Sequence, residues 1–191
     1  MRKIIFDIET KNTFNEVAGN DATALDLSIV CIYDSLKNEY SSFLEEELYK
    51  LWPIIEKADL LIGYNSDHFD IPLLNKYYQG DLTQIKSLDI LKEIKEATGK
   101  RVRLDQIAEA TLGKNKSSHG LQAVAWWKEG EIEKIRKYCL DDVLITKEIY
   151  EFALTNGFLK YSLAGEEQII KLDTSSWEET GEKPSMTQSL F

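Results

Sequence analysis

Apolar residues fall in short strand-like runs over the first 43 positions, broken by a polar loop, and in a mixture of helical repeats and short strand-like runs beyond them. Lys3-Ile4-Ile5-Phe6-Asp7-Ile8-Glu9-Thr10 is rich in β-branched and aromatic residues, which predicts a buried strand over residues 3–9. A polar loop follows, Asn12 to Asp21. Leu25, Leu27, Ile29, Cys31 and Tyr33 then alternate, predicting a second strand with those five on one face. Asp34 to Asn38 reads as a turn into a third strand, Glu39–Phe43, paired as an antiparallel hairpin. Leu44, Leu48, Leu51 and Ile55 have helical spacing, with Pro53 expected to kink or restart that helix. Asp59 to Tyr64 reads as a compact buried strand whose Gly63 leaves room for another group to come close. A helix is expected from near His68 to Tyr78, with Pro72 in its first turn and Gly80 as its stop.

Ile85–Leu88 predicts a short fifth strand. Helices are expected over 89–97, 104–112 and 121–128, and a long one from Glu131 to Leu154 ended by Gly157. Phe158–Ser162 and Gln168–Leu172 predict a hairpin around Gly165. From Asp173 the chain is polar and poor in core residues, which predicts a tail. The whole is an α/β pattern with a mixed five-stranded sheet flanked by helices. It divides into a domain over 1–156, a hairpin extension over 157–172 and a flexible tail over 173–191.

Composition narrows the classes. At 191 residues, 43% hydrophobic and 29% charged, the chain suits one globular domain with a small appendage. No apolar run approaches a membrane span, and acidic residues arrive too early for a signal peptide. Cys31 and Cys139 are too far apart in sequence for a disulfide framework or zinc spacing, so the expected location is a reducing cytoplasm. A net charge of −10 argues against nonspecific coating of nucleic acid. Between Lys92 and Lys116, however, cations outnumber anions, which allows a local contact with phosphates.

Three places carry candidate chemistry. Asp7 and Glu9 stand two apart on a strand and therefore share a face. Their charges are either hydrated at the strand end or neutralised by a hard divalent cation. Asn65-Ser66-Asp67-His68-Phe69-Asp70 follows a buried strand and opens a helix, the region beyond strand ends where ligands bind in α/β sheets. Asp70 falls on the face of Leu73, Leu74 and Tyr77, as a helix cap or as a ligand. In the long helix Asp142 lies within the apolar stripe of Ile132, Ile135, Cys139, Val143, Ile149 and Tyr150, with Tyr138 one turn earlier. A carboxylate on a buried face needs a cation or a hydrogen-bonding partner, and Lys3 or Lys137 offers a structural one.

Taken in order, these sites resemble the DEDD superfamily of 3′–5′ exonucleases in its tyrosine branch. The chain is similar over about residues 1–154 to the proofreading domain of family B DNA polymerases and to related stand-alone ribonuclease H-like exonucleases. The histidine branch is disfavoured, because its His position is Lys137 here. The resemblance implies a ribonuclease H-like fold. It also implies metal ligands Asp7, Glu9, Asp70 and Asp142 for two Mg²⁺ or Mn²⁺ ions, with Tyr138 orienting the attacking water. Asn65, Phe69 and Thr10 would contact substrate, Phe69 by stacking on the end base. The implied activity releases nucleoside 5′-monophosphates from single-stranded 3′ ends, DNA favoured, in repair or replication. An RNA-directed or structure-selective nuclease of the same fold stays open, as does a non-catalytic binding module. The terminal Gln188-Ser189-Leu190-Phe191 looks like a sliding-clamp peptide, incomplete because Thr187 stands where the short form has Gln. His68 and His119 read as structural or exposed, and the Lys114–His119 loop as a candidate contact for the strand backbone.

Overall fold

The protein is seen as a computed structural model that describes residues 1–19, 21–114, 120–163 and 165–179. Its centre is β1 (Lys3–Thr10), flanked by β2 (Leu27–Asp34) and, further out, β3 (Glu39–Leu44). After α1 (Leu48–Ile55), β4 (Leu60–Gly63) lies on the other side of β1. α2 (Asp70–Asn75) leads to β5 (Ser87–Asp89) at the far edge. The strand order is β3-β2-β1-β4-β5, antiparallel through β1 and parallel from β1 to β5. α3 (Ile90–Thr98), α4 (Leu104–Leu112), α5 (Gly120–Glu129) and α6 (Ile132–Asn156) follow. The hairpin β6 (Phe158–Leu163) and β7 (Glu166–Lys171) forms a second sheet, and the described chain runs on to residue 179. The predicted mixed five-stranded sheet with a C-terminal hairpin is borne out.

Alternation along β1 sets the two layers. Ile4, Phe6 and Ile8 pack with Leu51 and Ile55 of α1 and Leu73 and Leu74 of α2. Ile5 packs on the other face with Ile135, Cys139 and Val143 of α6. β2 departs from the expected one-sided strand: all eight of its residues are buried, because helices cover both faces. Its register also shifts opposite Glu9 and Thr10, so Leu27 joins the α1/α2 side while Ile29, Cys31 and Tyr33 face α6.

One helix is shorter than expected at both ends. The helix expected from His68 to Tyr78 occupies only Asp70–Asn75: Asp89 binds the N–H groups of Asn65 and Asp67 in the loop before it, and after Asn75 the chain tightens into turns in which the N–H groups of Lys76 and Tyr77 reach Leu73 and Leu74. Gly63 permits the close approach read from the sequence: a Cβ there would lie 2.4 Å from the Cβ of Ser66 as that loop folds back over the strand end. Gly157, in the left-handed region at φ 72°, ends α6 and donates its N–H to Ala153 at 2.8 Å.

The start of the segment expected as a tail packs on the body. Trp177 is 2% exposed, stacks on Tyr150 at 5.9 Å, and donates its indole N–H to Glu93 at 3.0 Å. Glu178 accepts from Lys3 and the Tyr150 hydroxyl, and Lys86 donates to the Ser176 and Glu179 carbonyls. A single aromatic in a polar stretch leaves too little periodicity to signal this. Gln188, Leu190 and Phe191 lie outside the described residues. Among the described residues, no helix is long and apolar enough to cross a membrane.

At the sheet's opposite end from Thr10, Arg2 donates to both carboxylate oxygens of buried Asp34, at 3.2 and 2.6 Å. That guanidinium holds the Asp34 carboxyl below its ordinary value, with a further contribution from the Leu36 N–H. The depressed folded value means this stabilisation is complete above the unfolded aspartate value of about 3.9 and is lost as pH falls through the folded one. Asp34→Asn is therefore expected to lower stability at neutral pH, with the gap to wild type closing in acid. Urea unfolding at stepped pH measures it; a gap constant with pH would contradict the assignment.

Candidate active site

The last β1–β4 pair is Ile5 with Ile62, so β1 runs on past the end of its neighbour. A cleft of about 630 Å³ opens beside that overhang, lined among others by Asp7, Glu9, Thr10, Asn65, Phe69, Asp70, Tyr138 and Asp142. All eight sequence-derived site residues thus border one cavity. It lies beside the carboxyl-terminal half of β1 and beyond the carboxyl end of β4, where parallel and antiparallel halves of the sheet meet.

Within it, ligand oxygens of Asp7, Glu9 and Asp142 lie within 4.8 Å of one another. Period two on β1 puts Asp7 and Glu9 on the α6 side, and the buried stripe of α6 turns Asp142 toward them. Asp141, one residue earlier, is exposed as its helical phase predicts. Three carboxylates this close, two of them buried, repel one another unless a cation compensates, and an all-oxygen donor set suits a hard divalent ion. The residues present therefore fit such an ion.

Asp70 is not part of that three-acid cluster. It is buried on the α2 side, where Oδ1 accepts the N–H of Ile8 at 3.1 Å, a donor on the overhanging part of β1. Burial, then the nearby Asp89 charge, with Asp142 contributing, pushes the Asp70 carboxyl up to about 8. Tyr138 is buried and shares a hydrogen bond with Asp142. Burial first, then the charges of Asp142, Glu9 and Asp7, moves its hydroxyl far above the ordinary phenol value, so it stays protonated at neutral pH. Cys139, one residue on, directs its thiol to the Asp7 carbonyl at 3.4 Å, and burial pushes that thiol up.

The substrate-contact candidates are less uniform. Thr10 lines the cleft but its hydroxyl donates to the Asn12 carbonyl at 2.8 Å, tying down the turn after β1. Phe69 is half-buried at the start of α2, edge-on to Phe14 with ring centres 6.3 Å apart. Asn65 sits at φ 67°, and its side-chain oxygen accepts from Arg101 at 2.9 Å. Lys114 pairs with Glu148 at 2.6 and 2.5 Å; residues 115–119 of its loop, including His119, lie outside the described residues. His68 is exposed.

The sequence reading did not find Phe14, Leu121 and Val124, which line the cleft, or Asp89, a buried carboxylate behind it. An Asp directly before an apolar helix is a recognisable N-cap, and Asp89 does accept from Leu91 and Lys92. Its second pair of donors, the N–H groups of Asn65 and Asp67, comes from a distant loop and has no local signal.

A search of curated proteins finds no match. Among solved structures, the chain is similar to the family B DNA polymerase from the hyperthermophilic archaeon Pyrobaculum calidifontis, with a TM-score of 0.62 and 20% identity. The likeness covers 80% of this chain and only 24% of the polymerase. At that identity it bears on the fold alone, and it agrees with the sheet order and helix layers described above. The sequence pattern of the RNase H superfamily matches residues 4–154, the span that carries the sheet, the cleft and all three acids, and the chain belongs to that superfamily.

Proposed function

We propose that the chain is a divalent-cation-dependent nuclease that removes nucleoside 5′-monophosphates from the 3′ ends of single-stranded nucleic acid, DNA in preference to RNA. The observation that carries this reading is the convergence of Asp7, Glu9 and Asp142 beside Tyr138 in one cleft of a superfamily member. The three acids would hold one cation, and Asp70, across β1, would complete the set for a second. Bound there, such ions supply the positive charge that a phosphodiester needs at its attacking and leaving oxygens.

The protein's own groups do the rest. Tyr138, kept protonated and anchored to Asp142, orients the attacking water through its hydroxyl. Phe69 offers an aromatic surface to the terminal base, and stacking of this kind is tolerant of sequence. Asn65 contacts the same nucleotide. Thr10 acts through the turn it ties down. The terminal Gln188, Leu190 and Phe191 are kept in the proposal as a peptide for a sliding clamp, on sequence grounds.

Digestion of 5′-labelled oligonucleotides with Mg²⁺ or Mn²⁺ tests the reading. A ladder shortening from the 3′ end is the expected result. Internal cuts, cleavage of RNA only, or no cleavage with either metal would each reject it. Tyr138→Phe is expected to lower kcat by about ten- to a hundredfold, with KM nearly unchanged, because it removes one positioned hydroxyl and little volume.

A further inference from the structure

Asn65 is held by two partners in an uncommon backbone conformation. Its backbone is in the left-handed region at φ 67°, which costs energy for a residue with a side chain. Its N–H donates to Asp89 at 2.7 Å, and Asp89 also takes the N–H of Asp67 at 3.2 Å while capping α3. Its side-chain oxygen accepts from Arg101 at 2.9 Å. A guanidinium can only donate, so this contact settles which end of the carboxamide faces Arg101. The Nδ2 group is left as the donor that Asn65 offers, and Asn65 lines the cleft. Arg101 has no carboxylate partner among the described residues, so its one hydrogen bond goes to this amide.

Resting on the proposed function, we propose that Asp89 and Arg101 are positioning residues. They lock Asn65 so that its amide N–H groups meet an acceptor on the terminal nucleotide. The acceptor that suits a base-neutral site is purine N3 or pyrimidine O2, on the edge of the base nearest the sugar. Asp89 sets the backbone of the loop, and Arg101 sets the direction of the amide. A left-handed cleft residue held by one partner at its backbone and another at its side chain is the pattern expected of preorganisation.

Arg101 is exposed, so Arg101→Met leaves the core untouched. That variant is expected to raise KM for an oligonucleotide ending in adenine by about tenfold, with kcat within about twofold of wild type. Hydrolysis of bis(p-nitrophenyl) phosphate, which has no base, should stay at the wild-type rate. A 3′-terminal 3-deazaadenine, lacking the acceptor nitrogen, should raise KM for wild type and have little further effect in Arg101→Met. Arg101→Lys, which keeps a donor, should recover part of the loss. Asp89→Ala, if its thermal melt shows a folded protein, should also raise KM for the adenine end, but its charge acts on Asp70 as well, so the split between KM and kcat is read from Arg101→Met.

An unchanged KM in Arg101→Met overturns the proposal, as does an equal loss on both substrates. Wild-type enzyme that binds the 3-deaza end as well as adenine also overturns it, because the Asn65 amide would then make no contact with that acceptor. If wild type cleaves no oligonucleotide, the proposed function falls and takes this inference with it. Activity that is normal in wild type and in every variant removes this inference alone.

Discussion

Asp142→Asn is expected to cut hydrolysis of single-stranded oligonucleotides by about a thousandfold, the scale of losing one preorganised electrostatic partner. Asn keeps the shape of the side chain and removes its charge from the three-acid cluster. The same change should leave the cation-free protein folded, because Asn keeps the volume of the side chain. Manganese separates the two proteins further. At about a hundredfold excess over Kd, a cation that binds only the folded state adds about 2.7 kcal/mol, which should appear as a rise in Tm for wild type. Asp142→Asn should lose most of that rise. A variant that cleaves at the wild-type rate would remove Asp142 from the active site. A variant that melts far below wild type without metal would show that the carboxylate is structural instead.

Trp177→Ala is expected to be the most destabilising single change in the C-terminal segment, by about 3 kcal/mol, at the lower end for deleting a buried aromatic side chain. It removes the Tyr150 stack and the Glu93 hydrogen bond together. Urea unfolding measures the loss, and limited proteolysis should show earlier cutting within residues 173–179. Activity should not change in the folded protein. Lys3 and Lys86, which tie down this segment, stand at the starts of β1 and just ahead of β5, at the other end of the sheet from the cleft. A variant with wild-type stability would show that the burial of Trp177 contributes little to the fold.

The parts legible in sequence share a physical property: their signal is local. Period two in β1 and helical period in α6 follow from backbone geometry over one or two turns, so both elements appear nearly at their observed bounds. Glycine at 157 marks the end of α6 for the same reason. The failures also have one cause. The helix after β4 starts late because Asp89 claims the N–H groups of the preceding loop from 22 and 24 residues away. β2 is buried on both faces because helices distant in sequence cover it, and the side of Leu27 depends on a register shift against β1. Trp177 is core because Tyr150 and Glu93 are there to receive it.

The candidate site divides in the same way. Asp7 with Glu9, and Tyr138 with Asp142, are pairs whose common face is set by the repeat of a single element, and the sequence alone determines them. Whether the two pairs meet depends on α6 crossing the β1 face, a packing outcome between residues more than 130 positions apart. Asp70 makes the point most clearly. Its burial was readable from helical phase, but tertiary structure sends its carboxylate to the Ile8 N–H instead of into the three-acid cluster. Backbone periodicity sets which way a side chain points from its own element, while long-range packing alone decides what it points at.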